Sequence, residues 1–264
     1  FELKNVSFSY DGSTDVLKNI NLRIFDGEKV ALIGKNGCGK STLINLILGL
    51  YQPTEGEIFY KGHPYSEYDR DFITKYVGIT FQDYCIFEKM IDQNIGMGDV
   101  SNIGNEELIK EAAEKGQAEK FIEKLPYGMK TWIGKNYDFE NGVDLSGGEK
   151  RRAAIAGVIA MDPAVVILDE PAAGLDPMGR DDLFEQIGLY HEARKNTILI
   201  VSHSMEDTAR FSDRVLVMNH GHAAMLAPTA EVFAHAAELQ EMGLQVPQVT
   251  RVFMQLRHMG YPVR

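Results

Sequence analysis

The spacing of apolar positions changes several times along the chain, and each change predicts an element. At the front, "FELKNVSFSY" and "VLKNINLRIF" alternate apolar with polar residues, the pattern of strands in an antiparallel sheet. "EKVALIG" is a short apolar run that reads as a buried strand, and "KSTLINLILGL" behind it reads as an apolar helix. Asn-rich and Gly-rich turns are expected across residues 92 to 106. "NEELIKEAAEKGQAEKFIEKL" predicts one helix with charged faces, stopped by Pro126. "EKRRAAIAGVIAM" has helical periodicity. Further on, "AVVILDE" and "NTILIVSH" read as buried strands, with the helix "GRDDLFEQIGLYHEAR" between them. "DRVLVMNHGHAAML" predicts a hairpin turning at residues 219 to 221, and residues 230 to 264 read as helical with a break near Pro247.

Strands that alternate with helices imply a parallel sheet covered on both faces. The front end adds an antiparallel layer. Residues 84 to 145 have a helical and loop character of their own, as expected of a subdomain inserted into the core.

Composition narrows the class. With 264 residues, 44% of them apolar, the chain suffices for one large α/β domain with subdomains or for two small domains. A net charge of −11 argues against a general nucleic-acid binder but leaves ATP open, because a phosphate site is built locally. Two cysteines, Cys38 and Cys85, make no disulfide framework and fit a reducing compartment. No apolar run approaches the roughly 18 residues of a spanning helix, and no signal peptide is recognisable. The chain opens on Phe1 rather than Met, as a piece of a longer chain or a sequence short of its first residues would.

The strongest chemical signal is Gly34-Lys35-Asn36-Gly37-Cys38-Gly39-Lys40-Ser41, the pattern G-x-x-x-x-G-K-S after a strand and at the start of a helix. The glycines let backbone N–H groups wrap phosphates, Lys40 reaches the β- and γ-phosphates, and the Ser41 hydroxyl can ligate Mg2+. Gly34, Asn36, Gly37, Cys38, Gly39, Lys40, Ser41 and the adjoining Thr42 form the candidate phosphate-binding set. In "VVILDE", Asp169 and Glu170 follow four buried apolar residues. A carboxylate at the end of a parallel strand, beside a phosphate loop, suits Mg2+ held through water, and Asp169 fits that role. Glu170, one residue on, can take a proton from an attacking water. His203 ends "ILIVSH" and reads either as a structural residue or as one facing the γ-phosphate. Gln82 in "TFQDY" reads either as a ligand of Mg2+ or water or as a loop residue. His220 and His222 flank a turn glycine and read as surface residues. A second anion-type signal lies in "NGVDLSGGEKRR", where Ser146, Gly147 and Gly148 leave backbone N–H groups bare at a helix start.

In this order the pieces resemble the ATP-binding-cassette (ABC) ATPases, over almost the whole chain. The likeness rests on Tyr10, the phosphate loop, Gln82, "LSGGE", "VVILDEP", "GLD" at 174 to 176, and His203. It implies an α/β fold, a P-loop NTPase core of the ABC type with a mainly parallel sheet, an antiparallel β subdomain and an inserted helical subdomain. The implied organisation is a single nucleotide-binding domain. Residues 1–83 would form the phosphate-loop core with the antiparallel layer, 84–145 the helical subdomain, 146–229 the second part of the core, and 230–264 a C-terminal helical extension. The resemblance makes Tyr10 the aromatic that stacks on adenine. It assigns Gln82 to Mg2+ together with Ser41 and Asp169, and places Gln82 and His203 beside Glu170 in catalysis. ATP and Mg2+ are the implied ligands, and an identical or different ABC ATPase chain the implied head-to-tail partner. ATP then lies between the phosphate loop of one chain and the Ser-Gly-Gly of the other, so Ser146, Gly147 and Gly148 serve the partner's ATP. Transmembrane transporter subunits are the other implied partners, with no nucleic acid. The implied location is cytoplasmic, peripheral on the inner face of the cell membrane.

Residues up to about 145 resemble exporter nucleotide domains, in "YQPTEGEIFYKG" and "VGITFQDYCIFEKMIDQNIGMGD". Later residues, in "LSGGEKRRAAIAGVIAMDPAVVILDEPAAGLDPMGR" and "VSHSMEDTARFSDRVLVMNHGH", resemble the ATPases of energy-coupling-factor (ECF) importers. A switch near the shared signature is what a chimera recombined there, natural or designed, would show. The alternatives to a transport ATPase are such a chimera, folding and binding ATP without a transport role, and a soluble non-transport ABC ATPase. Two residues depart from the family pattern. Ala172 stands where a hydroxyl residue is common after "DEP", and Glu149 replaces the usual Gln after "SGG", adding negative charge beside the partner's triphosphate.

Overall fold

A computed structural model describes residues 1–81, 85–134 and 142–259, without the side chains of Arg70 and Asp71. In chain order the elements begin with β1 (Glu2–Phe8), β2 (Leu17–Arg23), β3 (Lys29–Ile33), α1 (Lys40–Ile47), β4 (Glu55–Tyr60), β5 (His63–Pro64), α2 (Arg70–Tyr76) and β6 (Val77–Thr80). Next come α3 (Ile91–Gly96), α4 (Glu106–Lys115), α5 (Glu119–Ile122), α6 (Gly147–Ala160), β7 (Val165–Asp169) and α7 (Pro177–Arg194). The last are β8 (Thr197–Val201), α8 (Met205–Phe211), β9 (Arg214–Asn219), β10 (His222–Pro228), α9 (Thr229–Ala234), α10 (Ala236–Glu241) and α11 (Gln248–His258). They group into two units, one of Phe1–Thr74 with Thr197–Arg264, the other of Lys75–Asn196.

The first unit carries the antiparallel layer expected at the front, with strands in the order β2-β1-β4-β5. β4 joins it without a signal in the pattern above. In the same unit β3 runs parallel between β8 and β9, and β10 pairs antiparallel with β9. Val30, Ala31, Leu32 and Ile33 of β3 are all buried, as are Ile198, Leu199, Ile200 and Val201 of β8. Parallel strands covered on both faces are apolar throughout rather than alternating, which is why these runs were legible. Met205, Val232, Phe233 and Leu239 pack with Ala31, Ile33, Val215 and Val217 in one buried cluster. The expected hairpin is present, and its turn takes left-handed φ at His220 (48°) and Gly221 (84°), the twist that a two-residue hairpin turn needs. Among the described residues the C-terminal region holds three helices. Beyond the break at Pro247, which begins α11 as its N-cap, the chain also turns at His235 and at Gly243, where φ is 69°.

In the second unit β6 and β7 pair in parallel, Val77 opposite Val165 through Thr80 opposite Leu168. Asn105 caps α4 by accepting from the Leu108 N–H at 3.3 Å, with Glu106 and Glu107 in the first turn and Lys115 in the last, the charge order that suits the helix dipole. The single helix expected from 105 to 125 is two helices. Gly116 ends α4 and Gln117 takes a φ of 59°, which turns the chain before α5. The turns expected across 92 to 106 give way to α3 at their start, because Ile91 and Ile95, one helical turn apart, are both fully buried. Among the described residues no helix is long and apolar enough to cross a membrane.

Candidate functional site

The phosphate loop belongs to the first unit and runs from buried β3 to α1. Gly39 is the N-cap of α1 with φ 105° and ψ 5°, and a Cβ there would meet Leu17 Cδ2 at 2.7 Å. Gly34 passes so close to β9 that a Cβ would lie 2.5 Å from the Met218 carbonyl oxygen. The β9–β10 turn pins the loop: the Gly221 N–H donates to the Cys38 carbonyl at 3.1 Å, and the Gly221 carbonyl accepts from the Lys18 N–H at 2.8 Å. His220 and His222 are exposed on either side of Gly221, as expected.

Lys40 is buried, and its Nζ donates to the carbonyls of Gly34 at 2.6 Å and Lys35 at 3.0 Å. A buried ammonium requires acceptors, and these two hold it within the loop. Asn36 and Gly37 are exposed, while Cys38 is buried and its N–H donates to the Lys35 carbonyl at 3.2 Å. Ser41 is exposed in the first turn of α1 and Thr42 is buried. The Thr42 hydroxyl lies 3.2 Å from the hydroxyl of Tyr10, which ties the aromatic to the loop. Tyr10 is 54% exposed and stands edge-on to Phe8 at 4.8 Å and to Tyr51 at 5.3 Å between centroids. The sequence reading missed Tyr51, which carries no motif of its own. Just after Tyr10, Asp11 Oδ1 accepts from the N–H groups of Ser13 and Thr14 at 2.9 and 3.0 Å and from the Ser9 hydroxyl at 2.9 Å. These bonds, the Ser13 backbone bond foremost, hold the Asp11 carboxyl well below the usual carboxylate range.

His203 does not close β8, which stops at Val201. It is exposed in a tight turn where Ser202 Oγ accepts from the Ser204 N–H at 3.0 Å and Ser204 caps α8. Those local side-chain bonds compete with the strand ladder and end it. Gln82 lies outside the described residues.

The second unit carries the two carboxylates and the Ser-Gly-Gly turn. β7 is buried up to Leu168, Asp169 is its last residue, and Glu170 follows with a φ of 50°. The Glu170 carbonyl accepts from the Ala173 N–H at 3.1 Å and from Arg151 Nη1. Ala172 is buried. Asp176 caps α7, accepting from the Gly179 N–H at 2.8 Å. Ser146 is the N-cap of α6, with Gly147 and Gly148 the first two helical residues. Its N–H is not bare, as the sequence suggested. It donates to Glu149 Oε2 at 2.8 Å, and the Ser146 hydroxyl donates to the same oxygen at 2.7 Å. This is a capping box, in which the N3 carboxylate satisfies the cap residue.

These residues fit the ligands the motifs imply. A glycine cradle that a Cβ would fill, around a buried Lys40 ammonium, suits a polyphosphate. The Ser41 hydroxyl and the Asp169 carboxylate are oxygen donors of the kind Mg2+ takes.

The family model described as ABC transporter matches residues 17–173, more than half of the chain. The chain belongs to the ABC transporter family. As an ABC ATPase it hydrolyses ATP, with Mg2+ as cofactor, and powers membrane transport. This ABC ATPase is 45% identical over 252 residues to the energy-coupling factor transporter ATP-binding protein EcfA2 of Clostridium perfringens, covering 94% of this chain and 85% of the relative. It is 39% identical over 270 residues to the protein of the same name from Clostridioides difficile, covering 99% and 90%. Among solved structures it is similar to a bacterial Atm1-family ABC exporter with ATP bound, with a TM-score of 0.82 and 28% identity over 91% of this chain. This chain spans 40% of that exporter's length. Both likenesses run through residues on either side of the signature, so neither begins or ends near residue 145, and they give the chimera reading no support.

Proposed function

We propose that this ABC ATPase drives an ECF-type importer from the cytoplasmic face of the membrane, paired head to tail with a second ABC ATPase chain. The observation that carries this reading is 45% identity to an ECF ATPase along 94% of the chain. In the proposed mechanism Lys40 neutralises charge on the β- and γ-phosphates, and the loop N–H groups orient them. Ser41, Asp169 and Gln82 hold Mg2+, which when bound supplies a Lewis acid that neutralises phosphate charge. Tyr10 stacks on adenine. Glu170 takes the proton of the attacking water, and His203 contacts the γ-phosphate. Ser146, Gly147 and Gly148 grip the γ-phosphate bound by the partner chain.

A groove in the second unit supports docking to a transmembrane subunit. Phe81, Phe87, Met97 and Val158 are among its lining residues, and Phe81 and Phe87 are exposed. Apolar exposure of this kind marks protein contact surfaces.

Co-expression with an ECF transmembrane subunit and a second ECF ATPase chain tests the reading. The expected result is a stable complex whose reconstituted vesicles take up substrate only with ATP. Lys40→Ala in this chain is expected to lose most nucleotide affinity and nearly all turnover. Failure to form the complex, or wild-type turnover in Lys40→Ala, would overturn it.

A further inference from the structure

Arg151 sits in α6, five residues after the N-cap Ser146, and is only 6% exposed. A guanidinium taken out of water is costly unless its donors are used. One of them is: Nη1 donates to the main-chain carbonyl of Glu170.

That carbonyl stands at an unusual point of the backbone. Glu170 has a φ of 50°, in the left-handed region that a residue with a Cβ seldom adopts. It also precedes Pro171, whose ring restricts the backbone before it. Such conformations persist only where the surroundings over-determine them. The peptide between Glu170 and Pro171 has no N–H, because proline lacks one. Its plane can be held by hydrogen bonds only through the Glu170 carbonyl. That oxygen accepts from the Ala173 N–H of the following turn at 3.1 Å and from Arg151 of α6. The first ties the carbonyl to its own loop. The second ties it to a separate rigid element, and so fixes where the Glu170 side chain starts.

We propose that Arg151 is a positioning residue for Glu170, setting the aim of its carboxylate by holding the Glu170–Pro171 peptide against the helix that begins at Ser146. This rests on the reading of Glu170 as the general base. Arg151 itself touches neither nucleotide nor water in the proposed reaction.

Steady-state hydrolysis and equilibrium binding of a fluorescent ATP analogue, measured on the full chain, test it. Arg151→Met is expected to lower kcat about 10- to 100-fold, the cost of misplacing a reacting group by about 1 Å. Nucleotide affinity is expected to stay unchanged, because the phosphate loop is untouched. Arg151→Lys keeps a charge and a donor and is expected to regain part of the rate. Placed on Glu170→Gln, Arg151→Met is expected to cost nothing more, since it acts only through the carboxylate already removed. An unchanged kcat in Arg151→Met, or an equal loss in both backgrounds, overturns the proposal. If Arg151→Met fails to fold, shown by lost ATP binding, Arg151→Lys carries the same cycle, and an equal loss with and without Glu170→Gln overturns the proposal. Wild-type turnover in Glu170→Gln alone would instead sink the general-base reading, and this proposal with it.

Discussion

Glu149 Oε2 accepts hydrogen bonds from both the N–H and the hydroxyl of Ser146, at 2.8 and 2.7 Å. The carboxylate that departs from the family pattern therefore occupies the signature serine of its own chain. In the proposed head-to-tail pair, a phosphate arriving from the partner would compete with it and meet a like charge.

Glu149→Gln removes the charge and keeps an acceptor for the Ser146 N–H. A like-charge contact near a protein surface costs on the order of 1 kcal/mol or more. We expect the ATP-dependent dimer to tighten about fivefold, with α6 losing about 0.3–1 kcal/mol of dipole stabilisation at its start. Sedimentation across an ATP titration measures the first and thermal unfolding the second. An unchanged or weaker dimer would show that Glu149 does not oppose closure.

Glu170→Gln keeps shape and hydrogen bonding but cannot take a proton, and loss of a general base typically costs about 10²–10⁴ in rate. Uncleaved ATP bound more tightly by the dimer than by the monomer shifts the equilibrium towards the dimer. The variant is expected to dimerise with ATP and Mg2+ and to separate with ADP. Adding Ser146→Arg is expected to abolish that dimer. Replacing the N-cap costs about 1 kcal/mol of stability, so each monomer should still fold and bind ATP. A Glu170→Gln chain that stays monomeric at saturating ATP would mean that no shared site forms between copies.

Cys38 lies in the phosphate loop but is buried, whereas Cys85 is exposed. An alkylating reagent is expected to modify Cys85 first and Cys38 slowly, since a buried thiol reacts only when the loop opens. Bound ATP is expected to slow Cys38 further and leave Cys85 unaffected. Peptide mass spectrometry over a time course decides it. Equal Cys38 rates with and without saturating ATP would remove the thiol from the nucleotide's reach.

Asp11 orders the turn after Tyr10, so Asp11→Ala is expected to loosen the aromatic and weaken ATP binding severalfold, with kcat little changed. Because the folded carboxyl is depressed, its bonds are complete above the ordinary carboxylate range and fade only as pH falls through the lower folded value. Asp11 should therefore add no pH dependence to ATP binding between about pH 6 and 8. Binding isotherms of wild type and variant at several pH values check both statements. An Asp11→Ala chain with wild-type affinity would leave the turn without a role in adenine binding.

Much of the phosphate chemistry was legible because it is written in short spacings. Gly34 to Ser41 form one turn between a strand and a helix, and Asp169 and Glu170 end one apolar run. Gln82 and His203 were ambiguous on their own residues. A single His or Gln has no local mark of a task, and only the order of motifs proposed one for each. α3 was not legible because Ile91 and Ile95 look like isolated apolar residues among turn formers, until burial in the second unit makes them one face.

The sequence by itself determined the class of chemistry, since a phosphate loop needs only neighbouring residues with the right backbone freedom and charge. Tertiary structure alone decided what holds that chemistry in place. Gly221 on the Cys38 carbonyl, Tyr51 against Tyr10, and Arg151 on the Glu170 carbonyl each join segments far apart in the chain. Glu149 on Ser146 is the short-range exception, and even there the spacing allowed a capping box without saying that the carboxylate would turn back. Hydrogen bonds and ring contacts form between surfaces, and the order of residues states which surfaces exist but not which ones folding brings together.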